Sequence, residues 1–226
     1  MDPHRTNRRY DLGRLFFELI VVFLGVTAGF LLNNWQLSQK DVEIESQYLS
    51  AFEEDLALDI AELTSSIEGD EAWLTLMQPI LLELQDSALP LDSASVVAQR
   101  IAQLKTISLQ TGTYEAVINS GTLNLITDFE LKRKIVDYYV AVEGTEFVDE
   151  FFYNYVSDFV LPFVLSEVNM LTGIMEDAQI AQSTQFANII GGYYSLVQQR
   201  RDAYQDLFDQ GAELSQSLKS WRDPPD

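Results

Sequence analysis

A glutamate inside a run of apolar residues is the first side chain in this sequence that invites chemistry. Glu18 stands within "RLFFELIVVFLGVTAGFLLNNWQ", Arg14 to Gln36. A carboxylate at membrane depth is costly and points to a function such as proton carriage. Its position also permits a simpler role. It lies about one turn inside the arginine end, within reach of headgroups or of Arg14 at i−4. Gly25 and Gly29 form a GxxxG pair on roughly the same stripe of the helix. Such a pair lets two helix backbones approach closely. A second group is Tyr114, Glu115, Asn119, Asp137 and Tyr138. Buried tyrosine hydroxyls need partners, and Glu115 or Asp137 can supply one. The group reads as a polar lock that fixes packing. The alternative is a ligand pocket lined by Tyr114, Glu115, Asn119 and Tyr138. A third group, "EEDLALD", supplies Glu53, Glu54, Asp55 and Asp59. It lacks the turn glycine and spacing of a calcium loop and reads as a solvated helix face.

Other chemistry finds little footing. The chain has no cysteine, which excludes disulfides, thiol nucleophiles and cysteine metal sites. Its only histidine is His4, ahead of the apolar run, so the body has no histidine base. No phosphate-cradling glycine loop, HExxH motif or nucleophile elbow is present. The sequence therefore predicts no enzyme, no cofactor and no metal.

Charge narrows the partners. The 226 residues carry a formal charge of −21. Up to Arg14 there are four arginines (Arg5, Arg8, Arg9, Arg14) against Asp2 and Asp11, a net of +2, so the remainder carries −23. An acidic body of this kind repels phosphates, which excludes nucleic acid as a partner, and it favours solubility. Apolar residues make up 47% of the chain, enough for a real core.

These residues are positioned by helices. Leu15 to Leu32 is 18 residues long with one charge. As a helix it measures about 27 Å, close to the roughly 30 Å of a bilayer's hydrocarbon. The arginines precede it and acidic residues follow, which places the N-terminus in the cytoplasm and the body across the membrane. Trp35 sits where an interfacial aromatic anchor belongs. A cleaved signal is the rival reading, with Val26, Thr27 and Ala28 as the cut site, but the apolar run continues past it through Leu32. The domains expected are a basic tail over 1–14, a transmembrane helix over 15–35, a helical bundle over 36–222 and a frayed tail over 223–226.

Within the bundle, apolar steps of three and four predict a helix from about Asp11 to Glu68, ended by Gly69. Its stripe is Leu49, Phe52, Leu56, Leu63 and Ile67, with Ile60 alongside. A second helix is expected over Asp70 to Ser87, kinked by Pro79, with Trp73, Leu76, Met77, Ile80, Leu81 and Leu84 inward. A third covers Ser93 to Lys105 and buries Val96, Val97, Ile101 and Leu104. Gly112 and Gly121 bracket a short helix. Thr127 and Glu130 form a capping box that opens a long helix reaching Pro162. Residues 163 to 183 are ambiguous. A last helix spans Thr184 to Lys219, weakened at Gly191 and Gly192. Almost no stretch alternates in period two, so the fold class is all-α, a bundle of long antiparallel helices. Two segments, "EFFYNYV" and "GGYYSLV", are rich in aromatics; they read as core, with interface centres as the alternative.

Three segments, "ELIVVFLGVTAGFLLNNWQ", "YLSAFEEDLALDIAEL" and "TYEAVINSGTLNLITDFELKRKIVDYY", resemble a bacterial family of single-pass membrane proteins defined only as a domain of unknown function. The matching positions are Glu18, Gly25, Asn34, Trp35, Asp55, Tyr114, Glu115, Gly121, Leu131 and Tyr138. The resemblance implies a membrane location and brings no activity. The expectation is a helical scaffold or accessory subunit in a bacterial inner membrane, its body periplasmic. Its partners would be the bilayer and other membrane subunits, or a second copy through the GxxxG face. The runner-up readings are a linker subunit of a proton-driven motor that uses Glu18, and a periplasmic ligand-binding domain that signals through a partner.

Overall fold

The computed structural model describes residues 8–86, 89–103 and 106–222. Of the basic tail expected over 1–14, residues 1–7 with His4 and Arg5 lie outside the described residues and the rest is already helix; the tail over 223–226, Ser87, Leu104 and Lys105 lie outside them too. The elements in chain order are α1 (Arg8–Asp86), α2 (Leu91–Ile101), α3 (Gly112–Ser120), a 3₁₀ turn (Thr122–Leu125), α4 (Phe129–Tyr155), a π turn (Val156–Val160), α5 (Leu161–Glu167), β1 (Val168–Asn169), β2 (Ile174–Met175), α6 (Ala178–Ala181) and α7 (Thr184–Arg222). The protein is all-α apart from the two-residue strands, which pair antiparallel with Val168 opposite Met175.

The chain divides into two units, one up to Tyr48 and one from Leu49 onward. The first is the N-terminal part of α1. Its apolar side chains, Leu15 through Leu32, are exposed wherever they are large.

The second unit is built on three long helical segments. α7 runs antiparallel to the α1 segment, because Glu53 meets Arg222, Asp70 meets Arg200 and Trp73 meets Tyr193. It runs antiparallel to α4 too, because Lys134 meets Glu213 and Asp149 meets Tyr204. The stripes read from the sequence are the ones that fill the core. Leu49, Phe52, Leu56, Leu63 and Ile67 are buried on α1, and Leu131, Ile135, Tyr138, Tyr139 and Val142 on α4. On α7 the buried set includes Phe186, Ile190, Tyr193, Val197, Tyr204 and Leu207.

Several boundaries differ from the sequence reading. α1 does not stop at Gly69 and continues past Pro79 to Asp86. An interior glycine costs a helix only about 1 kcal/mol. That is outweighed by burial of Ile67, Leu74 and Met77 and by the Asp70 ion pair on either side of it. Leu76 and Val96, expected inside, are 42% and 50% exposed. The cap of α4 is Asp128, whose carboxylate accepts from the Leu131 amide at 3.0 Å, in place of Thr127. Aspartate is the stronger N-cap, and the helix begins one residue later to use it. Helix also persists beyond Pro162. The π turn bonds the Leu161 amide to the Val156 carbonyl and restarts the ladder, and Pro162 then sits in the first turn of α5, where its missing N–H costs nothing.

The ambiguous segment, 163 to 183, holds most of α5, the β1–β2 hairpin and α6. Gly173 turns the hairpin at φ +71°, and Gln99 of α2 donates to its carbonyl at 2.6 Å. Ser95 fastens the same two elements, since its hydroxyl oxygen accepts from the Met175 amide at 2.9 Å.

Candidate functional site

The polar group proposed from the sequence comes apart into two neighbouring arrangements, and its anchor is a residue the sequence reading had placed in solvent. Asp59, on α1, is 0% exposed. Its Oδ2 accepts from the Tyr138 hydroxyl at 2.9 Å and its Oδ1 from the Gln110 amide at 2.7 Å. One carboxylate therefore ties α1 to α4 and to the strand of chain leading into α3. Neither Glu115 nor Asp137 serves Tyr138. Glu115 accepts from the Thr111 hydroxyl at 2.9 Å, and Asp137 is exposed. The "EEDLALD" stretch is accordingly not a single solvated face. Its fourth acid turns inward, while Glu53 pairs with Arg222 at 2.6 Å.

Tyrosines surround this anchor. Tyr139 packs edge-on to Tyr138 with ring centroids 5.2 Å apart, and Tyr114 stacks on Tyr139 at 4.3 Å, nearly parallel. α3 presents Tyr114 because Gly121, at φ +71°, closes the helix with a left-handed turn. Burial raises the Asp59 carboxyl above its ordinary value, against the lowering pull of its Gln110 and Tyr138 hydrogen bonds. Burial also raises Tyr138, with the Asp59 charge adding to the effect, and it raises Tyr139 and Tyr114. Tyr138 thus stays protonated and donates to Asp59. Such a buried bond fixes the packing of α1 against α4.

Beside the lock lies a cavity of about 290 Å³ lined by Thr111, Tyr114, Glu115, Ile118, Asn119, Tyr139, Glu143 and Glu146. Three of the four residues expected to line a pocket, Tyr114, Glu115 and Asn119, are on its wall. The fourth, Tyr138, is replaced by Tyr139.

A second buried polar cluster was missed by the sequence reading. Arg200 donates from Nε to Asp70 Oδ2 at 3.0 Å and from its terminal nitrogen to Oδ1. Its guanidinium lies 4.1 Å from the Phe152 ring centroid. Tyr204 donates to Asp149 at 2.6 Å next to it. Burial pulls the Arg200 guanidinium down, but the Asp70 bonds and charge outweigh this and hold it above its ordinary value. Burial pushes Tyr193 up to about 12. The signal in the sequence was an arginine at a position in step with Tyr193, Val197 and Tyr204, on a helix face that otherwise reads as core.

In the first unit, Arg14 Nε donates to Glu18 at 3.1 Å, an exposed i,i+4 ion pair. Gly25 and Gly29 have open space where a side chain would stand, and Trp35 is exposed. One window of α1 near the N-terminus reaches a mean hydropathy of 2.5 with none of it buried, so this helix is long and apolar enough to cross a membrane. Among the described residues no group of three or more histidine, aspartate or glutamate side chains is placed to hold a metal. The aromatic segments divide: Phe152, Tyr193 and Val197 are core, while Phe151 and Tyr153 are exposed.

Comparisons with protein-family models, with curated proteins and with solved structures gave no match for this chain.

Proposed function

We propose that this protein is a membrane-anchored helical scaffold, an accessory subunit that holds an acidic bundle at the periplasmic face of a bacterial inner membrane. The observation that carries the reading is the exposed apolar window of α1, with a mean hydropathy of 2.5 and no burial. A helix that is apolar all round and covered by nothing of its own chain is matched by lipid. The basic end of the sequence orients it, and the body's two buried polar clusters suit a rigid spacer. The resemblance to single-pass membrane proteins noted above agrees with this and adds no activity.

The test is purification of the full chain in mild detergent with identification of what co-purifies, together with alkaline phosphatase fused after Asp226. An active fusion and a stoichiometric membrane partner support the scaffold. A chain recovered in the soluble fraction, or an inactive fusion beside an active cytoplasmic reporter, overturns it. The motor-linker reading requires Glu18 to face a channel partner. The Arg14–Glu18 ion pair favours the structural role instead. Glu18→Gln separates them, since a scaffold tolerates it and a proton carrier assembles but fails.

A ligand-binding reading has one observation in its favour, the cavity beside Tyr114 and Glu115. A thermal shift on the full chain across a panel of small amines and sugars tests it. A shift abolished by Tyr114→Ala supports binding, and no shift anywhere on the panel removes it.

A further inference from the structure

We propose that the groove between the π turn and α7 is a sugar-binding site, which takes a neutral pyranose ring, free or as one unit of a glycan. The cavity there measures about 690 Å³, larger than the one beside Tyr114 and within the range of small-molecule sites. Two helical segments build it. Tyr155, Phe159 and Phe163 follow one another at i, i+4 and i+8 along one wall, and Gln185, Asn188 and Ile189 at i, i+3 and i+4 along the other. The Tyr155 hydroxyl reaches across to donate to the Ile189 carbonyl at 3.1 Å, which fixes the spacing of the walls. Phe163 is buried and stacks on Phe186 of α7 with ring centroids 5.5 Å apart. Phe159 is 56% exposed and is presented by the π turn, Val156–Val160, a rare backbone form that recurs at functional sites.

The chemistry of the walls selects the ligand. The Phe159 ring, with its centroid 5.3 Å from that of Tyr155, offers a flat apolar platform. Beside it stand the carboxylate of Asp158 and the carboxamides of Gln185 and Asn188. Among the described residues none of these three side chains has a hydrogen-bond or ion-pair partner. An apolar ligand would strip water from all three and leave them unpaired, which opposes binding. An anion would meet the Asp158 charge and, among the described residues, no lysine or arginine on the lining. A quaternary ammonium would use the ring and the carboxylate and leave both carboxamides idle. A pyranose uses every group. Its C–H face lies on the ring, its hydroxyls donate to Asp158, and the carboxamides both donate to and accept from the remaining hydroxyls. The proposal does not rest on the scaffold reading and shares no residue with the cavity beside Tyr114.

The test is saturation-transfer NMR on the full chain, in a detergent without a sugar head, with methyl glucoside, methyl galactoside, N-acetylglucosamine and the β-linked disaccharide of each. At least one of these sugars receives saturation, strongest on its ring C–H protons. Phe159 and Asp158 are both exposed, so changing them leaves the core intact. Phe159→Ala weakens the affinity about tenfold, and Phe159→Trp, which keeps a platform, restores it. Asp158→Asn also weakens it about tenfold, the loss of a charge-assisted bond. Tyr114→Ala leaves it unchanged. A disaccharide held about tenfold more tightly than its monosaccharide identifies a glycan strand as the source, and equal affinities identify a free sugar. Absence of saturation on every sugar in the set would overturn the proposal. So would a sugar signal that survives Phe159→Ala, or choline binding lost with Phe159→Ala while the sugars stay silent.

Discussion

The Tyr138 hydroxyl stands 2.9 Å from Asp59 Oδ2, a bond between residues 79 positions apart that joins α1 to α4 inside the core. Both partners are almost fully buried. Tyr138→Phe removes the donor and leaves the carboxylate with the Gln110 amide alone. An unsatisfied buried acceptor costs about 1–3 kcal/mol. Chemical denaturation of the full chain in detergent, followed by tyrosine fluorescence, should show a loss in that range with an unchanged slope. Asp59→Ala should cost more, since it orphans both donors and opens a cavity.

The same residue fixes a pH dependence. Burial holds the Asp59 carboxyl above its ordinary value in the folded protein. Between the ordinary carboxylate range and that raised value the native state binds more protons than the unfolded chain. Stability therefore falls as pH rises through this window and is gained as pH drops back through it. Asp149, raised by burial as well, has the same sign. Asp59→Asn removes one of these titrations. Melting temperatures measured from pH 7 down to pH 4.5 should rise more steeply in the parent than in Asp59→Asn. Parallel curves would show that Asp59 is not desolvated as described.

Asp59 also marks how far the sequence could be read. Helical stripes were legible because burial repeats every three to four residues, so Leu56, Leu63, Tyr139 and Val142 could be placed inside without coordinates. The Gly121 stop was legible because a left-handed turn favours glycine. Asp59 was not legible. It sits in an acidic run, and only the fold brings Tyr138 and Gln110 to it. Arg200 and Asp70 are 130 positions apart and share no local signal. Gly69 misled for the opposite reason. It is a local breaker, and tertiary burial on both sides outweighed it.

The Arg200–Asp70 pair predicts an asymmetry between single and double changes. Both side chains are about nineteen-twentieths buried, with exposures of 5% and 6%. Arg200→Met strands the Asp70 carboxylate in the core and should cost about 3–5 kcal/mol. Combining it with Asp70→Leu replaces a buried ion pair by apolar side chains and should recover most of the loss. Denaturation midpoints of the parent, the single and the double variant decide this. A double variant no more stable than Arg200→Met would mean that Asp70 carries a further structural burden.

Gly192 makes room for another helix's tyrosine. A Cβ at that position would lie 2.2 Å from the Tyr155 hydroxyl oxygen and 2.7 Å from the ring carbon that bears it. The hydroxyl is held there by donating to the Ile189 carbonyl at 3.1 Å, so it cannot simply swing aside. In a helix interior, glycine to alanine normally stabilises by about 1 kcal/mol. Here the overlap should reverse the sign and cost about 1–3 kcal/mol, as in an overpacked core. Gly191 next to it has open space and provides the control, since Gly191→Ala should keep the ordinary stabilising sign. Truncating the tyrosine removes the obstacle. In the Tyr155→Ala background, Gly192→Ala should become neutral or stabilising, a coupling read directly from a double-mutant cycle of melting temperatures. Equal effects of Gly192→Ala in both backgrounds would place Tyr155 elsewhere in the folded protein.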